Sequence, residues 1–241
     1  MGIQREDGRR TDELRPIQMN LDYIIHPEGS VLVSFGNTKV LCNATLEKKV
    51  PRWMQQGMSG GWVTAEYALL PRSTRTRTSR ETNGLRGRTQ EIRRLIGRSL
   101  RAALRLDLLD GYTCILDCDV LQADGGTRTA SVSGGYVALV KALQPLIRAG
   151  DLQPEVIEGQ VAAISVGMIA GEPLLDLDYG EDSSADVDFN VVMDDRLALI
   201  ELQGTAEGRT FSRKNLNCML DLAEQGMQEI FRLQRKTLGL E

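Results

Sequence analysis

The chain has 241 residues, of which 41% are hydrophobic and 26% charged, and its formal net charge is −4 at pH 7. This length fits one large domain or two small ones, and the composition is ordinary for a folded protein, which argues against intrinsic disorder. The sequence contains no run of about 20 apolar residues, and its N-terminus lacks the apolar segment of a secretory signal. We therefore expect a cytoplasmic protein with no membrane partner.

Histidine and cysteine usage narrows the classes of site. His26 is the only histidine, which argues against histidine-rich zinc sites and against chemistry that requires two imidazoles. The four cysteines form no C-x-x-C pair, and Cys114 and Cys118 lie within an apolar alternation. Reduced, buried thiols are favoured over a metal or redox site, which remains the alternative.

The charge is distributed unevenly along the chain. From Arg72 to Arg105 there are eleven arginines, no lysine and two glutamates, so this segment carries +9 and the remainder −13. A solvated helix face is the usual explanation of a charge run. The use of arginine alone favours contact with phosphate or nucleic acid, because a planar guanidinium binds phosphate oxygens in a bidentate manner.

Alternating apolar residues predict the strands of the first half. These strands cover residues 29–35, 38–46 and 62–71, with a glycine-rich loop at 51–62. Residues 72–88 show no periodicity and predict an exposed loop whose function comes from its charge.

An arginine-rich helix is predicted to follow this loop. Apolar residues recur at helical spacing up to Leu104, and Thr89 is the candidate N-cap, which places Arg88 just before a helix N-terminus. An arginine at a helix start forms an anion site. The later arginines of this helix are expected to be solvated or to pair with acids of a neighbouring subunit.

The second half continues with strands and two more helices. We predict a strand through Cys114 and Cys118, a helix over 129–147, strands over 160–169, 173–179, 189–193 and 197–203, and an amphipathic helix capped by Ser212. This order predicts the α+β class, with mixed sheets and packed helices. Since no clear linker or exact repeat divides the chain, we expect a single domain over residues 1–241.

Two segments carry the polar groups of a candidate site. Residues 123–131, ADGGTRTAS, place glycines, hydroxyls and an arginine between a strand and a helix, which predicts a site for a small anion. Residues 176–188 carry six carboxylates, which repel one another unless they are solvated, paired with arginine or bridged by a divalent cation. A solvated acidic loop is the usual case, and a Mg²⁺ site of one or two carboxylates with water and substrate phosphate remains open. Together, these groups suit phosphoryl transfer at a nucleic-acid backbone, with inorganic phosphate as the nucleophile.

At this point the sequence resembles the bacterial ribonuclease PH family over essentially its whole length. The resemblance lies in the motifs DGRR, HPEGSVLVSFGNTKVLC, GWVTAEYALLPRSTRTR, GRTQEIRRLIGRSLRA, LDCDVLQADGGTRTAS, LDYGEDSSADVDFNVVM and ELQGTAEG. It implies an RNase PH-type fold with a core like that of domain 2 of ribosomal protein S5. It also implies a 3′-to-5′ exoribonuclease that uses phosphate to release nucleoside diphosphates while trimming tRNA precursors and other RNAs.

The resemblance also implies roles for individual residues. Phosphate contacts fall on Arg88, Gly126, Thr127 and Arg128. The positions for Mg²⁺ and for the general acid fall on Asp182 and Asp188, in preference to Asp178 and Asp186. Upstream RNA is expected at Arg72, Arg75, Arg77 and Arg80, and the assembly is expected to be a homohexamer, a trimer of dimers.

Two other functions remain open from the sequence. The chain could be a catalytically silent RNA-binding ring subunit, although such subunits typically lose the phosphate arginines or the acidic pair that are present here. It could also be a metal-dependent hydrolytic nuclease, in which water replaces phosphate and the products are monophosphates.

Overall fold

The computed structural model describes residues 4–54, 59–208 and 210–240. Within these residues the chain forms two β-sheets, four α-helices and two short 3₁₀ helices. The strands of the first sheet are β1 (Ile17–Leu21), β2 (Gly29–Phe35), β3 (Thr38–Glu47), β4 (Trp62–Leu69) and β5 (Thr113–Gln122). Those of the second are β6 (Val161–Ile169), β7 (Glu172–Leu175), β8 (Val187–Asp194) and β9 (Leu199–Ala206). The helices are α1 (Gly87–Arg101), α2 (Thr127–Ala149), α3 (Tyr179–Ser184) and α4 (Arg213–Leu238).

The two sheets differ in their pairing. The first has the order β1-β2-β3-β5-β4 and is mixed, because β4 runs parallel to β5 while the other neighbours are antiparallel. The second has the order β7-β6-β8-β9 and is antiparallel throughout. This arrangement confirms the predicted α+β class. Among the described helices, none has the length and hydrophobicity that a membrane-spanning segment needs.

Helix α2 packs against strands of both sheets and is buried along most of its length. The small residues of its first turns permit a close approach, as the sequence predicted. A Cβ atom placed on Gly134 would lie 2.6 Å from Cγ1 of Val33 on β2, which is closer than side chains tolerate. The apolar core is therefore continuous from one sheet to the other through this helix.

Several predicted boundaries need correction. Helix α1 begins at Gly87 rather than after Thr89, because the Thr89 hydroxyl donates to Glu81 Oε1 at 2.8 Å instead of capping the helix. The strand predicted to reach residue 179 ends at Leu175, since Asp178 starts α3 through a capping box with Glu181. Strand β1 was not predicted. Four residues of the predicted loop at 51–62, residues 55–58, lie outside the described residues.

The cysteine prediction is correct for three of the four thiols. Cys42, Cys114 and Cys118 are free and buried, but Cys218 is free and exposed. Cys218 lies on α4, whose amphipathic pattern turns this position away from the core.

A buried ion-pair network fixes the N-terminal segment between the two sheets. Arg15 donates from Nη2 and Nε to the carboxylate of Asp176, at 2.6 and 3.0 Å, and from Nη1 to the carbonyl of Asp124 at 2.6 Å. Arg5 pairs with Glu181 at 2.7 Å, and Arg9 donates to the carbonyl oxygen of Asp176 at 3.0 Å. Asp176 is fully buried, and Arg9 and Arg15 pair with its carboxylate.

We expect Asp176→Asn to lower the free energy of unfolding by about 3–5 kcal/mol, because it leaves Arg15 buried without a counter-charge. Asn also tolerates the left-handed backbone of this position, where φ is +54°, so the change is confined to the charge. Urea unfolding at pH 7 measures the loss. Asp178→Asn is the matched control, since asparagine caps a helix as well as aspartate does. Equal losses in the two variants would contradict the importance of the buried pair.

Candidate active site

One large cavity lies where the predicted site residues meet. It has a volume of about 1290 Å³ and is bounded by the end of β4, the first turn of α1, the 125–128 turn, α3, β8 and β9. The structure places all six residues assigned to phosphate, metal or acid chemistry on its wall. These are Arg88, Gly126, Thr127, Arg128, Asp182 and Asp188.

The glycine turn at the start of α2 requires residues without side chains. Gly125 and Gly126 have φ values of +75° and +62°, and a Cβ atom on Gly125 would lie 2.5 Å from the carbonyl oxygen of Leu177. The Thr38 hydroxyl donates to the Gly125 carbonyl at 2.6 Å and holds the turn against the first sheet. Because the first N–H groups of a helix have no acceptor within it, the turn and the start of α2 can bind an anion.

Two residues of this turn are held by side chains that the sequence did not predict. Arg128 donates to Gln203 Oε1 at 3.0 Å and lies 3.6 Å from Glu91 Oε1. The hydroxyl of Thr127 lies 2.9 Å from that of Tyr67, and burial raises the pKa of this phenol, which therefore stays protonated at neutral pH. These contacts orient the guanidinium and the hydroxyl before any ligand arrives.

Arg88 supplies the second guanidinium of the cavity. It is exposed and is the second residue of α1, rather than the residue before the helix as predicted. Its positive charge, like that of Arg128, lowers the pKa of the two cavity aspartates. Both arginines thus act electrostatically on the carboxylate side of the cavity.

Asp182 on α3 and Asp188 on β8 form the acidic side. Asp182 is exposed and Asp188 is half-buried. Partial desolvation raises the pKa of both carboxyls, and the charge of Asp188 raises the pKa of Asp182 further. Arg128 and Arg88 oppose this effect, because they attract the ionised form. Both carboxyls therefore take up a proton more readily than an isolated aspartate does.

The other carboxylates of the acidic segment have structural roles. Asp176 and Glu181 belong to the arginine network, Asp178 caps α3, and Asp186 accepts from the Ala170 N–H at 3.1 Å. The interpretation as a simply solvated acidic loop is therefore wrong, whereas pairing with arginine, which the sequence also allowed, is confirmed for Asp176 and Glu181. Only Asp182 and Asp188 of this segment face the cavity.

Of the four predicted RNA-binding arginines, the structure brings only Arg75 to the cavity wall. Arg72, Arg77 and Arg80 are exposed on the preceding loop. The expectation that the arginines of α1 are solvated or meet another subunit is corrected by Arg98, which pairs with Glu201 at 2.6 Å, and by Arg93, which pairs with Glu66. Both partners belong to the same chain.

Comparisons with known proteins place this chain in a family. Models of the 3′ exoribonuclease family match residues 13–145 as its domain 1 and residues 159–226 as its domain 2. Ribonuclease PH of Cyanothece sp. strain PCC 7425 is 53% identical over 239 residues, which cover 99% of this chain and 100% of that protein.

Two solved structures share the fold at low sequence identity. Rice (Oryza sativa) Rrp46 has a TM-score of 0.80 at 19% identity, covering 98% of this chain and all of that one. The Archaeoglobus fulgidus exosome with RNA bound to its active site has a TM-score of 0.76 at 21% identity, covering 94% and 91%. The expected RNase PH-type fold is confirmed. Since both family models and a full-length relative match, the chain belongs to the ribonuclease PH family of 3′ exoribonucleases.

Proposed function

We propose that this protein shortens RNA from its 3′ end by phosphorolysis, trimming tRNA precursors and other RNAs and releasing nucleoside 5′-diphosphates. One observation carries the proposal: the turn that ends in Arg128 faces the Asp182 and Asp188 carboxylates across a single cavity. An oxygen of inorganic phosphate attacks the phosphorus of the last phosphodiester. The bond between this phosphorus and the 3′ oxygen of the preceding nucleotide breaks. That oxygen takes up a proton, and the terminal nucleotide leaves as a diphosphate.

The attacking phosphate binds at the start of α2. Arg128 and Arg88 supply charge, the Thr127 hydroxyl and the N–H groups near Gly126 supply hydrogen bonds, and the rigid turn orients the phosphate for in-line attack. Gln203 and Glu91 keep Arg128 in place in the free protein.

Asp182 or Asp188 protonates the departing 3′ oxygen. A carboxylic acid donates a proton near neutral pH only if its pKa is raised, and burial together with the neighbouring charges raises the pKa of both. The arginines opposite limit this shift, so that the pair still carries negative charge.

The same two carboxylates suit Mg²⁺, which prefers oxygen ligands and commonly uses one or two carboxylates with water and substrate phosphate. Among the described residues, no group of three or more His, Cys, Asp or Glu side chains could hold a metal ion by itself. Asp182 and Asp188 would therefore hold Mg²⁺ together with phosphate oxygens. A bound Mg²⁺ neutralises the charge that develops on those oxygens.

The loop over residues 72–86, here called the arginine loop, contacts the RNA upstream of the scissile bond. Arg72, Arg75, Arg77 and Arg80 are exposed, and Arg75 connects the loop to the cavity. Guanidinium groups spaced along a loop can contact successive phosphates of a single strand.

We also propose that the protein acts in the cytoplasm as a single folded unit that assembles into a homohexamer, a trimer of dimers. The free cysteines suit a reducing compartment, and the core that continues through α2 supports one folding unit. A hexamer would let the arginine loop reach RNA bound by an adjacent subunit. Sedimentation as a fully active monomer would contradict this assembly.

The proposed reaction is tested with a tRNA that carries a short 3′ extension, incubated with Mg²⁺ in the presence and absence of inorganic phosphate. We expect nucleoside diphosphates only when phosphate is present, and a loss of about 100-fold or more in Arg128→Ala, because a preorganised charged donor is removed. Chromatography of the released nucleotides identifies the products. Arg232→Ala, which removes an exposed arginine outside the cavity, is expected to match the wild type.

Two results would contradict the proposal in different ways. Monophosphates released without phosphate would indicate a hydrolase. RNA that is bound but never shortened would indicate a silent binding subunit.

We expect Asp182→Asn to stabilise the free protein at pH 7 while it abolishes activity. The raised pKa of Asp182 means that folding disfavours its ionised form, so this charge lowers the free energy of unfolding above the raised pKa. As the pH falls toward about 4, the wild-type carboxyl becomes protonated and the advantage of the variant disappears. Thermal unfolding between pH 4 and pH 8 measures the effect.

The exposed Asp151 outside the cavity provides the control, and Asp151→Asn is expected to be neutral. Added Mg²⁺ is expected to raise the melting temperature of the wild type more than that of Asp182→Asn. A variant that is less stable than the wild type at pH 7 would contradict the electrostatic account.

Replacing the four loop arginines (Arg72, Arg75, Arg77 and Arg80) by alanine is expected to weaken RNA binding and its salt dependence. The slope of log K against log salt is expected to fall by about 0.7 for each lost phosphate contact, or about 3 in all. The KM for phosphate is expected to stay unchanged. A control that replaces four exposed basic residues outside the cavity, Lys48, Lys49, Arg148 and Arg232, tests for a general effect of charge. Equal changes of slope in both variants would contradict a specific role of the loop.

A further inference from the structure

The cavity contains an aromatic surface that the proposed chemistry does not use. Two tyrosines line the described wall, and their surroundings differ. Tyr67 is buried and its hydroxyl is engaged with Thr127, whereas Tyr179 is 50% exposed. The ring of Tyr179 is therefore the aromatic face of the cavity that a ligand can reach.

Tyr179 lies close to both the carboxylate and the arginine side of the proposed RNA path. It is the first residue of α3 and precedes Asp182 by three positions, so the two side chains are neighbours on one face of this helix. On its other side, the guanidinium carbon of Arg75 lies 5.3 Å from the centre of the tyrosine ring. The ring thus lies between the acid side of the cavity and the arginine loop.

We infer that Tyr179 is a stacking platform for the base of the penultimate nucleotide, whose 3′ oxygen departs in the reaction. This inference rests on the proposed function, which places that oxygen beside Asp182. Side chains at i and i+3 of a helix are about 5–6 Å apart, so Tyr179 lies about that far from Asp182. The base attached to the same ribose is then within reach of the Tyr179 ring. Every base has a flat π face, so such a platform binds RNA 3′ ends without selecting a sequence.

Arg75 occupies the platform in the free protein. A separation of 5.3 Å leaves no room for a base between the guanidinium and the ring, so the base displaces Arg75 from it. Arg75 is exposed and belongs to the loop rather than to a helix or strand, which permits this movement. Once displaced, its charge pairs with a phosphate of the same strand.

The inference is tested by equilibrium binding of short RNAs with Mg²⁺ and without inorganic phosphate. One RNA is intact, one lacks the base of the penultimate nucleotide, and one lacks the base of the terminal nucleotide. For the wild type and Tyr179→Phe, loss of the penultimate base is expected to weaken binding about 5- to 150-fold. Tyr179→Leu keeps an apolar side chain but removes the ring, so we expect it to bind intact RNA that much more weakly and to be insensitive to the missing base.

Tyr23→Leu is the matched control, because Tyr23 is 51% exposed and lies outside the cavity wall. It is expected to behave as the wild type. If Tyr179→Leu keeps the full penalty for the missing penultimate base, or if its insensitivity concerns the terminal base instead, the inference is overturned. The length of the RNA recovered after binding is checked separately, since shortening without phosphate would refute the proposed phosphorolysis and not the stacking platform.

Discussion

The pairing of Arg15 with Asp176 is the interaction on which the rest of the site depends. Arg15 holds the carbonyl of Asp124, just before the glycine turn, and at the same time the carboxylate of Asp176, just before α3. The glycine turn follows a strand of the first sheet and the acidic segment follows a strand of the second, and the Arg15 guanidinium bonds to both while Gly125 packs directly on Leu177. Because both partners are buried, the arrangement is stable only when it is complete.

Next to the Arg15–Asp176 pair, the cavity contains two clusters of opposite charge, one of arginines and one of aspartates. Asp182 and Asp188 repel each other without a cation, and Arg88 and Arg128 supply the opposite charge on the same cavity wall. The arginines attract the ionised aspartates and lower their pKa, which offsets part of the repulsion between the two carboxylates. The free protein therefore keeps a charged, preorganised site that ligands of both signs can complete.

Patterns local in sequence predicted most of the fold but only part of the site. Alternation and helical spacing predicted the β2–β3 hairpin and the bodies of α1, α2 and α4 to within a few residues. Strand β1 was missed because it has only five residues, although its alternating Ile17, Met19 and Leu21 pack against the core. The glycines and arginine of the 125–128 turn could be predicted as an anion site because their chemistry is contained in one short segment.

Other site features depend on residues that are distant in sequence. The six carboxylates at 176–188 look alike in the sequence, and selecting Asp182 and Asp188 required the family resemblance. Tyr67, Glu91 and Gln203 could not be predicted, because they meet the turn only through the folding of β4, α1 and β9. The periodicity of apolar residues does not show which side chains of different helices and strands will contact one another.

The Arg15–Asp176 ion pair also has a consequence for the synthesis of the protein. The two residues are 161 positions apart, and translation at about 5–20 residues per second separates their appearance by roughly 8–32 seconds. During that interval the first sheet can form on the ribosome, but the arginines of the N-terminal segment lack their buried partners. A nascent chain therefore has no assembled cavity until its second half has emerged.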